Sequence, residues 1–217
     1  MDIVINGGAS DVVRIIVILT IITLAPFMLL MMTCFTRIII VLGFLRQAMG
    51  LQQTPPTQVL VGLALFITFF IMAPVISEIN EEALQPYNNR QIETSEFLDR
   101  ASVPVKEFML TQTGLDELSF FRSLSPETGL EDLEPMQLPM SILVPAFTLS
   151  ELKRAFLMGF LIYIPFLVID TIVASTLMSM GMIMLPPVMI SMPFKILLFV
   201  VVDGWGLLVR TLIMSFN

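Results

Sequence analysis

The sequence predicts an all-α integral membrane protein with about four long apolar helices, two of them forming a methionine-tipped hairpin. A small, acidic, mostly helical external domain completes the fold class. Three observations predict it. The 217 residues are 56% hydrophobic, with a mean hydropathy of +0.91, a composition of the membrane class. Four apolar runs stand out, at about Ile15–Phe35, Val59–Ile76, Ala155–Met180 and Val188–Val202. Finally, 14 of the 18 acidic residues fall within 78–151 beside only four basic ones, a net charge of −10.

A bilayer core of ~30 Å takes roughly 17–25 helical residues. The first and third runs meet that length, the second is marginal, and the fourth reaches it only by continuing through Asp203 to Leu212. Residues 1–11 read as a tail broken by Gly7-Gly8. No basic segment or small-residue cleavage site precedes Ile15, so the first run is expected to be retained as a helix. Pro26 lies within it, and the pattern around Arg37 and Arg46 predicts that this helix continues past Phe35. MGLQQTPPTQ then breaks the chain, with Thr54 as the expected N-cap and Pro55 at the first helical position. Arg37 and Arg46 flank this connection with no acid nearby. By the positive-inside rule it is cytoplasmic and the N-terminus lies outside.

The boundaries are therefore 1–77 for the tail and first two apolar helices, 78–149 for an acidic extracytoplasmic domain, and 150–217 for the C-terminal hairpin and tail. Within the external domain, Pro104 is expected to start one helix. Thr113 to Asp116 reads as a capping box opening another, and PETGLEDLEPMQLP as loop. Thr148 to Glu151 reads as a second capping box, opening the third apolar helix.

The last two runs carry the charges that matter most. Asp170 and Lys195 are equidistant from the turn near Met182 and Ile183, so an antiparallel hairpin sets them at one depth. A lone charge at mid-bilayer costs at least ~2.5–3.5 kcal/mol, which calls for a partner. The pair serves either packing or an ion path. The chain's scarcity of intramembrane carboxylates favours packing. Lys195, Asp203 and Arg210 fall within roughly 80° of one another on a helical wheel, which predicts a charged stripe lining a cavity or protein. Met180, Met182 and Met184 surround Gly181 beside a Pro-Pro break. Such an interruption is tolerated at membrane depth only inside protein or against a cavity. Methionine there is either soft filler or, repeated around an axis, an apolar seal.

Chemistry is largely excluded. There is no histidine, hence no imidazole base, shuttle or ligand. The single cysteine, Cys34, excludes an intrachain disulfide and a Cys-cluster metal site. No enzyme activity, cofactor, metal or nucleic-acid partner is expected. No acidic spacing matches a calcium loop, and no internal repeat of the kind transporters show is visible.

Three stretches resemble the FliP family of flagellar export proteins: MMTCFTRIIIVLGFLRQAMGLQQTPPTQVLVGLALFITFFIMAPV, SELKRAFLMGFLIYIPFLVIDTIVAS and MGMIMLPPVMISMPFKILLFVVVDGW. They cover more than half the chain, and the external domain carries little of the match. The injectisome (SctR-type) proteins of virulence secretion are similar, and a stand-alone proton-coupled solute transporter is the alternative from another class. The resemblance implies a core subunit of the type III export gate in the bacterial inner membrane and flagellar basal body. It implies several copies assembled with FliQ-like and FliR-like proteins and served by FlhA-like and FlhB-like components. Unfolded flagellar subunits would be the passengers, and membrane lipid the surroundings. It implies a methionine-rich pore constriction at Met182, Ile183 and Met184, with Ile183 a departure from the more usual methionine. It further implies a structural charge pair of Asp170 with Lys195, and a subunit contact at Glu151. Many family members carry a cleavable signal peptide, from which this sequence departs.

Overall fold

The computed structural model describes residues 9–51, 53–125, 130, 133–182 and 184–216. All regular elements among them are helical: α1 (Ala9–Met31), α2 (Phe35–Ala48), α3 (Thr57–Ile79), α4 (Gln85–Asn88), α5 (Thr94–Gln112), α6 (Leu115–Leu124), α7 (Met140–Ser179), α8 (Pro187–Val201) and α9 (Gly204–Met214). A wider π-type turn, Asn80–Leu84, joins α3 to α4.

Two of the described helical stretches are long and apolar enough to cross a membrane: Thr57–Asn88 and Met140–Ser179. The pair α8 and α9, bent by 64°, would make a third if it forms one span. At 1.5 Å per residue, α7 is about 60 Å long, twice a bilayer core of ~30 Å. The excess of α7 and of the α3–α4 stretch carries the acidic region. The expected boundaries at 77/78 and 149/150 accordingly fall inside helices rather than in linkers.

Several expected helix starts move for identifiable reasons. The chain breaks at residues 32–34, so α2 is a separate helix and not an extension of α1. Pro56 caps α3, two residues beyond the expected Thr54. Pro104 lies inside α5, where packing overrides its helix-breaking tendency. Gly114, not Thr113, caps α6. The Thr148–Glu151 box lies in the interior of α7, which starts after Pro139. Thr148 Oγ1 and Ser150 Oγ there donate back to the carbonyls of Val144 and Ala146, 2.8 and 2.9 Å away. Residues 1–8 and 126–129, 131 and 132 of the expected loop lie outside the described residues.

Packing centres on α2 against α7. The buried face of α2 is Cys34, Arg37, Ile38, Val41, Leu42, Leu45 and Ala48, the spacing of one helical stripe. Gly159 lets the helices approach, because a Cβ there would sit 2.5 Å from the Phe44 ring. Phe44 also meets Phe156 edge-on at 5.2 Å. A second core, built on Met109, Leu118, Leu138, Leu143 and Phe147, holds α5 and α6 to the first half of α7. Outward faces stay apolar: Phe66, Phe69 and Phe70 on α3, and Phe156, Leu157, Phe160 and Leu161 on α7, are all exposed in the single chain. Such faces suit lipid or neighbouring subunits.

Candidate functional site

Two buried polar nodes and one exposed apolar connection stand out. The first node is built on Arg37, on the buried face of α2. Its Nε donates to Glu151 Oε2 at 2.9 Å, and its Nη2 donates to Glu151 Oε1, a two-pronged ion pair. Nη2 also reaches Gln112 Oε1 at 3.1 Å. Nη1 donates to the carbonyl and the hydroxyl of Ser215, both at 3.0 Å. All five guanidinium hydrogens thus have acceptors, which is what a buried arginine needs. The Phe216 ring lies 3.7 Å from the guanidinium carbon, in cation–π range. Gln112 Nε2 donates to the Phe216 carbonyl at 3.1 Å, and Arg154 Nη1 donates to Gln112 Oε1 at 2.8 Å. The node ties α2, α5, α7 and the segment after α9 together.

Arg37 is therefore no marker of a cytoplasmic loop, and only Arg46 is left to mark the connection by the positive-inside rule. Arg46 donates to Thr57 Oγ1 at 3.1 Å across the α2–α3 turn. Glu151 is 0% exposed and is occupied by its own chain. Any influence on a neighbouring subunit has to pass through the elements it holds.

Beside this node, α6 is fastened to α7. Lys153 Nζ donates to Glu117 Oε1, and the Gly114 N–H donates to Ser150 Oγ at 3.0 Å. The Lys153 hydrogen bond holds the Glu117 carboxyl below its usual range. A lowered folded value means the stabilisation is present above the unfolded value, about 4.3, and is lost as pH falls through the folded one. The protection of α6 amides from exchange, corrected for the intrinsic pH dependence of the exchange rate, is expected to fall as pH drops below that range. Glu117→Gln should abolish the step, and an identical pH profile in that variant would refute this role.

The second node lies between α7 and α8. Lys195 Nζ donates to Asp170 Oδ2 at 2.6 Å and to the Ala48 carbonyl at 3.0 Å. Ser191 Oγ donates to Asp170 Oδ1 at 2.5 Å. Lys195 is 2% and Asp170 23% exposed. The two expected partners meet within one chain, and two groups join them that sequence reasoning missed. Ser191 lies one helical turn before Lys195, a spacing that puts both on one face. The expected stripe of Lys195, Asp203 and Arg210 does not form. Asp203 sits at φ +50, between α8 and α9. Asp203 and Arg210 are exposed whereas Lys195 is buried.

Between α7 and α8 runs Met180–Pro186. The end of α7 closes with the Gly181 N–H on the Met178 carbonyl at 3.1 Å and the Met182 N–H on the Leu177 carbonyl at 2.9 Å. Gly181 is at φ +77, the left-handed cap such an ending requires. Met180, Met182 and Met184 are 66%, 43% and 97% exposed, uncovered within the chain. Ile183, the middle position of the expected constriction, lies outside the described residues. No group of three His, Cys, Asp or Glu side chains fit to hold a metal occurs among the described residues.

Comparison with known proteins bears on this arrangement. Residues 18–212 match the model described as the FliP family. A Flagellar biosynthetic protein FliP of Bacillus subtilis is 54% identical over 209 residues, 96% of this chain and 94% of the relative. Proteins of the same name in Aquifex aeolicus and Pectobacterium carotovorum are 49% and 50% identical. These matches cover 98% and 97% of this chain and 89% and 82% of the relatives.

Proposed function

The chain belongs to the FliP family, and from that premise we propose that it builds the protein-conducting core of the flagellar type III export gate. It is a subunit of the flagellar export apparatus and a flagellar membrane protein, with a structural rather than catalytic role. In this reading several copies surround an axis in the inner membrane, with FliQ-like and FliR-like neighbours and FlhA-like and FlhB-like components beside them. Residues 78–149 face outward. Unfolded flagellar subunits pass along the axis.

The observation that carries this reading is the exposure of Met180, Met182 and Met184 at the break between two apolar helices. An apolar break with nothing over it is unfavourable in a lone membrane chain. Copies meeting around an axis cover it. Methionine suits the task, because its unbranched, polarizable side chain repacks around irregular surfaces. A ring of such tips, Met182, Ile183 and Met184 from each copy, excludes water and small ions yet yields to a peptide. Asp170 and Lys195 hold the hairpin whose tip this is, and Glu151 acts on assembly through the α2–α5–α7 junction.

Met182→Ala combined with Met184→Ala is expected to leave assembly intact and let small ions cross. The measurement is decay of a membrane-potential dye signal in cells carrying the assembled gate. A signal as stable as the parent's would sink the sealing role.

A further inference from the structure

We infer that the glycine-closed end of α2 is the seat that positions the methionine-bearing connection, with Gly50 and the Ala48 carbonyl as its positioning groups. The inference rests on the proposed sealing role of that connection. After Ala48 the Met49 N–H donates to the Leu45 carbonyl at 3.1 Å, the Gly50 N–H to Gln47 at 3.0 Å and the Leu51 N–H to Arg46 at 3.2 Å. This is a Schellman closure, with Gly50 at φ +77 in the left-handed position. It uses three of the four carbonyls that a helix end leaves over. The fourth, that of Ala48, receives Lys195 Nζ at 3.0 Å.

The same ammonium holds Asp170 at 2.6 Å, so one side chain fastens α7 and α8 to the end of α2. The negative end of the α2 dipole favours a cation there. A second contact runs beside it. A Cβ built on Gly50 would lie 3.4 Å from Val188 Cγ1, so the turn rests against the first turn of α8. Gly181 fixes where the connection leaves α7, and the seat on α2 fixes where it enters α8. Met182 and Met184 hang between these two points. A residue that cannot take the left-handed conformation at position 50 unwinds the closure, turns the Ala48 carbonyl and shifts the start of α8.

The test uses the full chain in flagellated cells, read on the complex that co-purifies with it. Met184→Cys is labelled with a maleimide, Cys34 being fully buried. Adding Gly50→Val is expected to change the labelling rate at position 184 and to raise ion leak. Gly50→Asn should match the parent in both, since asparagine tolerates the left-handed region. If Gly50→Val does not accumulate, Gly50→Ala serves as the milder strain at the same position. An unchanged labelling rate in the strained variant overturns the inference, as does a defect in Gly50→Asn equal to that of Gly50→Val. A changed rate alongside a leak-free methionine double variant keeps the seat and removes the sealing role.

Discussion

Glu151→Ala is expected to destabilise the chain by about 3–5 kcal/mol, the range for breaking a buried ion pair from one side. The reason lies in what remains. Arg37 is 1% exposed and loses the acceptors of Nε and of one Nη2 hydrogen. Water cannot replace them at a site closed by Phe216 and Gln112. Glu151→Gln keeps one acceptor and should cost less. Arg37→Met with Glu151→Leu should recover much of the loss, since an apolar pair of similar volume often replaces a buried ion pair without penalty. Thermal unfolding of the detergent-purified parent, Arg37→Met, Glu151→Leu and the double variant closes a double-mutant cycle, with Glu151→Ala and Glu151→Gln measured beside it. A Glu151→Ala protein that melts with the parent would show that the pair contributes nothing.

Lys195→Ala is expected to abolish export while costing less stability than Glu151→Ala, about 1–3 kcal/mol. Asp170 keeps the Ser191 hydroxyl as a donor, so its stranded carboxylate is less unfavourable than a stranded Arg37. Position suffers more than stability, because the Ala48 carbonyl also loses its partner. This third partner makes the charge swap informative. Asp170→Lys with Lys195→Asp restores opposite charges but sets a carboxylate toward the Ala48 carbonyl. Export should return only in part. Full recovery, read as flagellin in the medium, would show that the Ala48 contact is dispensable. No recovery in a complex of normal composition would point to a direct role for one of the charges.

How much of this was legible depended on the distance over which each feature is encoded. Equal spacing about a local turn puts Asp170 and Lys195 at one depth, which allows pairing within a hairpin or between neighbouring chains, and in the structure they meet within one chain at 2.6 Å. Arg37 and Glu151 are 114 residues apart, and no local pattern links them. Arg37 was still readable as buried, since it falls in register with Cys34, Ile38, Val41 and Leu45 on one helical face. As a buried charge it gives no support to a cytoplasmic connection, which then rests on Arg46. The capping motifs failed at 148–151 because side-chain caps compete weakly with a continuous packed helix. The α8–α9 bend has its signal in Asp203-Gly204, a common turn dipeptide, whereas a wheel at ~100° per residue holds only for one unbroken helix. The methionine tip was legible in composition, and Met180, Met182 and Met184 are exposed in the single chain.

The closing of Arg37 by Ser215 and Phe216 has a consequence in time. A chain made from its N-terminus has Arg37, Gln112 and Glu151 available well before residue 215 exists. The ion pair can form early, but one edge and one face of the guanidinium stay open until the last turn of α9 and the residues after it arrive. The junction of α2, α5 and α7 therefore matures only after residue 216 has been made. Until then, the three helices that Arg37 and Glu151 tie together are held by an unfinished bond.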